Sequence, residues 1–175
     1  MRRLALAGLL VVLICTTAFA VDHVAGVGKK IPATVVRVVD GDTLVCLVDG
    51  KNEKVRLIGI DCPESKDNRK HKEDAKRDCC HTSDQLIDLG KEATAFTTSV
   101  AAAGKAVQLE IDVQERDKYH RVLAYIWADG RLLNAELLRE GLAQLMTIPP
   151  NVKRANYFYQ VQKKAQRENK GVWKR

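Results

Sequence analysis

Four acids stand where apolar stretches of the chain end. Asp40 and Asp42 flank Gly41, Asp61 closes a run of branched aliphatic residues, and Glu64 follows Cys62-Pro63. Carboxylates brought together raise one another's proton affinity, so such a cluster needs a cation. An all-oxygen donor set selects a hard ion, calcium or magnesium. Arg56 sits among Val55, Leu57 and Ile58. An arginine drawn into an apolar strand needs an anionic partner, because its desolvation is expensive. Arg121 heads a second apolar run, 122–127. A cation, two guanidiniums and a carboxylate suit phosphodiester hydrolysis. The ion and the arginines offset charge on a phosphorane-like transition state, and the carboxylate orients or deprotonates the attacking water. Each residue also has an ordinary reading: Asp40-Gly41-Asp42 as a turn, Asp61-Cys62-Pro63-Glu64 as a proline-bounded exit, Arg56 as the partner of a structural Asp. One shared site accounts for all of them at once.

These residues need strands to bring them together. Residues 33–39 and 43–48 are rich in β-branched side chains and read as two strands. Asp49-Gly50 marks a hairpin turn into a third strand, 54–60. Residues 107–113 alternate apolar and polar, the period of a half-buried strand, and 122–127 form a fifth, ending at Asp129-Gly130. Leu89, Ala93, Phe96 and Val100 make one helical stripe. Asn134 is placed to cap a short helix ending near Gly141, and Phe158, Val161 and Ala165 mark a last helix, with Val172 and Trp173 pinning the C-terminus. The pattern predicts a mainly β, α+β fold. Its strand count and lengths fit a five-stranded OB-fold-like barrel with about three helices, although alternation alone does not separate that from another α+β arrangement.

The first residues read as a secretory signal: Met1-Arg2-Arg3, an apolar run from Leu4 to Cys15, and Ala18-Phe19-Ala20 as a cleavage site. The run is short for a membrane span, and Ile14 stands where a lipidated Cys15 would need a small residue. Residues 1–20 are therefore expected to be a cleaved signal. Residues 21–175 are expected to be a single domain, secreted or periplasmic, monomeric, and without stable membrane association after the signal is removed. A formal charge of +7 suits a polyanionic partner. Cys46, Cys62, Cys79 and Cys80 remain after cleavage, and four cysteines allow about three full pairings that sequence does not choose among.

The stretch from Val39 to Glu64 resembles the thermonuclease (staphylococcal nuclease-like) family: aspartate-glycine-aspartate-threonine, a strand carrying an arginine, and a D-x-P-E exit. Asp117-Lys118-Tyr119-His120-Arg121 resembles the family's D-K-Y-G-R element, with His120 in place of Gly; Leu123–Ile126 and Asn134–Ala143 are similar as well. The similarity spans roughly residues 32–173, and motifs in this order are far more selective than one short pattern. The resemblance implies an OB barrel with three helices and a calcium-dependent nuclease that acts on DNA and RNA and leaves 3′-phosphates. It implies Asp42, Asp61 and the Cys62 backbone carbonyl as Ca2+ ligands, with Asp40 in the outer shell. It implies Glu64 as general base, Arg56 and Arg121 on the phosphate, and Lys118 and Tyr119 on the nucleotide. Thr147 and Pro149 stand where the family often has stacking tyrosines.

The alternative is an OB-fold module that binds nucleic acid or protein without cutting. A softer metal set, Cys62, Cys79, Cys80, His81 and His71, lacks the usual zinc-ligand spacing. The charged, cysteine-containing stretch 65–88 is expected to be a loop that leaves from Glu64 and returns past the site. A disulfide from Cys62 to Cys79 or Cys80 would hold that loop, with Cys46 left as a buried thiol.

Overall fold

The computed structural model describes residues 28–77 and 80–174; the expected signal peptide, residues 1–20, and Cys79 lie outside them. The first strand, β1 (Lys30–Asp40), meets β2 (Thr43–Val48) across the Gly41 turn. β2 runs into β3 (Lys51–Leu57) through Asp49-Gly50, both in the left-handed region that a two-residue hairpin demands. A short β4 (Gly59–Asp61) follows. Two helices, α1 (Arg69–Arg77) and α2 (Ser83–Val100), lead to β5 (Ala106–Glu110) and β6 (Val122–Ala128). The chain ends with β7 (Arg131–Leu132), α3 (Leu133–Arg139), β8 (Gln144–Met146), α4 (Ala155–Arg167) and a 3-10 turn, Gly171–Trp173.

β1 pairs antiparallel with both β2 and β5, and β5 pairs with β6. The ring closes where β3 lies parallel to β6, Val55 opposite Val122 and Leu57 opposite Ala124. The result is the expected five-stranded barrel. Its interior is filled by Val35, Leu44, Cys46, Val55, Leu57, Leu109, Ala124 and Ile126, each almost fully shielded from solvent. Full burial of each large aliphatic side chain contributes about 1.5–3 kcal/mol. Cys46 is one of them; burial pushes its thiol up to about 11, so it stays protonated and packs as a small apolar group.

Four expectations are corrected, the last of them the role of Asn134. The stretch 65–88 is not simply a loop, because α1 lies within it and α2 begins inside it; the described residues hold four α-helices where about three were expected. The buried stripe of α2 is Leu86, Gly90, Ala93, Thr97 and Val100, while Leu89 and Phe96 are only half-buried. Between Leu86 and Val100 the buried face of the helix is made of the smaller residues Gly90, Ala93 and Thr97. The strand expected over 54–60 is broken after Leu57, where Gly59 adopts φ +79 and a Cβ there would strike the Phe158 ring at 2.8 Å.

Asn134 repairs that break. It does not cap α3, whose N-cap position is Leu132, with no side-chain cap bond. Its fully buried amide donates to the Ile58 carbonyl at 2.9 Å and accepts from the Ile126 N–H at 3.0 Å. Two backbone groups that the sheet leaves unmatched are thus satisfied by one side chain. Asn134→Ala strips both of their partners, and each stranded buried group costs about 1–3 kcal/mol. We expect urea denaturation to show a loss of about 3 kcal/mol; an unchanged midpoint would remove Asn134 from this role.

Candidate active site

The Gly41 turn sits against α2. A Cβ on Gly41 would lie 2.8 Å from the Ala93 Cβ and 2.9 Å from the Cys62 Sγ, so only glycine allows this approach. The Thr97 hydroxyl donates to the Gly41 carbonyl at 2.7 Å. Further along the same face, a Cβ on Gly90 would be 2.3 Å from the Glu64 carbonyl oxygen, so the backbone of Pro63 and Glu64 rests directly on the helix. One helix face of Gly90, Ala93 and Thr97 therefore sets the height of both acid-bearing segments.

At the tip of the turn, Asp42 is buried and doubly engaged. Its Oδ1 accepts from the Thr43 hydroxyl at 3.0 Å, and its Oδ2 accepts from the Cys62 N–H at 2.9 Å. Arg56 joins it from β3. The guanidinium donates to the carbonyls of Leu57 (2.8 Å) and Ile60 (2.9 Å), donates to Asp61 Oδ1 at 2.8 Å, and lies 3.1 Å from Asp42 Oδ2. Buried Arg56 thus bridges two carboxylates from different elements. Asp40 stands beside them and accepts from the Asp42 N–H at 3.2 Å. Burial, and then the charge of Asp42, push its carboxyl up to about 6. The Cys62 side chain packs beneath the turn, where burial and the neighbouring Asp42 hold its thiol well above the usual range.

The donor chemistry fits a hard divalent ion. One guanidinium faces two carboxylates, with a third beside them that is pushed toward protonation, so positive charge is in deficit. Among the described residues no three His, Cys, Asp or Glu side chains converge as a complete cage. An ion held by Asp42 and Asp61 would therefore draw the rest of its shell from backbone carbonyls and water, as calcium readily does.

Arg121 approaches from another side. Asp117 organises its turn: the carboxylate accepts from the backbone N–H groups of Tyr119 (2.9 Å) and Arg121 (3.0 Å), and from Arg121 Nε at 2.7 Å. Burial works to raise the Asp117 carboxyl, but these bonds outweigh it and hold it low. His120 takes φ +62, the left-handed conformation natural to the glycine it replaces in the resemblance. Arg116 steadies the turn by donating to the His120 carbonyl while gripping Glu53 of β3 with two bonds. Lys118 and Arg121 both lie over the ring of Tyr119, which is 66% exposed. Arg56, Asp117 and Arg121 line a cavity of about 140 Å³ together with Leu57, Ile58, Met146 and Ile148. The two arginines thus share one concave site.

The structure joins Asp40, Asp42, Arg56, Asp61 and Cys62 in one cluster, and places Lys118 and Tyr119 beside Arg121. Glu64 leaves the cluster through Pro63, and its carboxylate accepts from Asn68 Nδ2 at 2.7 Å. Of the disulfide candidates, Cys62 is buried and Cys80 exposed, with Cys79 outside the described residues. Sequence reasoning missed Thr97, Asn68 and the anchoring role of Asp117. Only the last left a usable signal, an acid four residues before an arginine.

Residues 54–175 match the family model described as Staphylococcal nuclease homologue. The chain is 37% identical over 139 residues to "Thermonuclease" of Staphylococcus hyicus, covering 79% of this chain and 73% of that protein. Against "Thermonuclease" of Staphylococcus intermedius the identity is again 37% over 139 residues, with 79% and 74% covered. "Endonuclease YncB" of Bacillus subtilis (strain 168) is 32% identical over 147 residues, 83% of this chain and 63% of that one.

Asp40 supplies a test of the charge deficit. Its carboxyl binds a proton more tightly in the folded protein, at about 6, than at its ordinary value of 3.8. The folded state therefore holds more protons in that window, and stability falls as pH rises through it. In chelator, Asp40→Asn should gain on the parent in urea denaturation between pH 4 and pH 6, the advantage levelling off above. Parallel stability curves for the two proteins would show that the cluster is already neutralised.

Proposed function

The chain belongs to the staphylococcal nuclease family, and on that premise we propose that it is a secreted, calcium-dependent nuclease that hydrolyses phosphodiester bonds of DNA and RNA and leaves 3′-phosphate ends. The observation that carries this reading is the pair Asp42 and Asp61, bridged by Arg56 on the wall of a cavity that Arg121 also lines. Asp42 and Asp61, with the Cys62 backbone carbonyl and Asp40 in the outer shell, would hold a calcium ion, which would supply positive charge for the scissile phosphate. Arg56 and Arg121 bind the phosphate oxygens and stabilise the extra negative charge as the phosphorus becomes five-coordinate. Glu64 accepts a proton from the attacking water, or orients it. The new bond forms between the water oxygen and phosphorus, and the bond to the 5′-oxygen breaks. The phosphate stays on the 3′ side, and the 5′-oxygen leaves as a hydroxyl after taking a proton from solvent. Lys118 and Tyr119, exposed beside Arg121, hold the neighbouring nucleotide. The relatives' names, two thermonucleases and an endonuclease, support the nuclease reading.

Export rests on the N-terminal pattern alone, and cleavage after Ala20 should give a mature N-terminus at Val21. Mass spectrometry of protein from its native host checks this; an intact Met1 would contradict it. No helix among the described residues is long and apolar enough to cross a membrane.

Single- and double-stranded DNA and RNA should be cut in calcium, poorly in magnesium, which insists on a tighter octahedron, and not in excess chelator. Glu64→Gln and Arg121→Ala should each lower turnover by about two to three orders of magnitude with the fold intact. Arg56→Ala should in addition lose about 3–5 kcal/mol, because it strands two carboxylates. If Arg121→Ala cleaves at the parental rate the site is misassigned, and nucleic-acid binding without cleavage in calcium would point to the non-catalytic module.

A further inference from the structure

We propose that Asn68 is a positioning residue that aims the Glu64 carboxylate, and that α1 exists in part to hold Asn68 there. This rests on the reading of Glu64 as the base. The Asn68 side chain has two engagements that fix which way its amide faces. Nδ2 donates to Glu64 Oε2 at 2.7 Å, while Oδ1 accepts from the His71 N–H at 2.9 Å, the bond of a residue capping a helix. The Asn68 carbonyl accepts from Lys72 as α1 begins. A reversed amide would turn a carbonyl toward a carboxylate and an NH2 toward an N–H, losing both bonds.

The helix so capped is itself anchored. His71 is 2% exposed although it lies in a strongly charged segment, and its Nε2 is 2.7 Å from Ser83 Oγ. Ser83 opens α2, and Thr82 and Gln85 form a reciprocal capping box there. That helix is the one whose Gly90 receives the Glu64 backbone. Glu64 is therefore gripped twice by a closed circuit. Its main chain rests on α2, and its carboxylate is held by Asn68, which α1 ties back to α2 through His71 and Ser83. A half-buried glutamate side chain has several torsions to fix, and a charge-assisted bond from the capping asparagine helps to set its direction before substrate arrives.

The test separates the cap from the grip. Asn68→Asp keeps an oxygen for the cap, and aspartate caps helices well, but it loses the donor and sets a second carboxylate against Glu64. Asn68→Ser keeps a capping oxygen on a shorter side chain. Both should lower kcat by about 10- to 100-fold, leave KM within about twofold, and retain amide-exchange protection in α1. In a Glu64→Gln background, Asn68→Asp should have no further effect, because the carboxylate it acts through is gone. Parental kcat in both Asn68 variants, or an equal loss in the Glu64→Gln background, would overturn the positioning role. Glu64→Gln cutting at the parental rate would instead overturn the base assignment, and this proposal with it.

Discussion

Everything at the site depends on the placement of one guanidinium. Arg56 occupies the point where β3 ends and β4 begins, and its terminal nitrogens gather the carbonyls of Leu57 and Ile60 and the carboxylates of Asp42 and Asp61. Strand backbone cannot point two carbonyls at one side chain without breaking its ladder. The left-handed Gly59 makes that break, and Asn134 covers the groups it exposes. The arginine is thus a functional charge and also the centre about which the barrel's end is folded. Buried Asp42 and half-buried Asp61 would repel each other without it.

The second constraint is one of height. α2 lies across the strand ends with a face made of Gly90, Ala93 and Thr97, and these small side chains let the Gly41 turn and the Glu64 backbone come within contact of the helix axis. Larger residues at the same positions would lift both segments and separate the acids. Leu89 and Phe96 are only half-buried beside this face. A residue chosen for closeness leaves a weak mark in sequence, since a hydrophobic stripe is sought by size.

That contrast explains what could be read beforehand. The barrel was legible because β-branched runs, clean alternation in 107–113 and two glycine-bearing turns each report on local geometry. The acids and arginines were legible because charge beside apolar sequence is conspicuous. Asn134 looked like a cap because caps are what asparagine before a helix most often provides; its true partners, Ile58 and Ile126, are distant in sequence or across a turn. The charged stretch after Glu64 looked like a loop because its α1 portion carries almost no apolar residue. One buried histidine and one capping asparagine hold that helix, and neither has a periodic signature.

The parallel pairing of β3 with β6 ties the paired arginines to a long-range closure of the chain. Residues 55–57 meet residues 122–124 across the whole intervening chain, which carries two helices and the strands β4 and β5. Contacts of such long sequence separation carry a large loop-closure entropy and slow the folding of barrels. The same closure brings Arg56, on β3, to Arg121, which immediately precedes β6. Half-built chains therefore lack the paired arginines however much helix or hairpin they contain. Competence to handle a polyanion comes with that seam of the barrel and not with any single hairpin or helix.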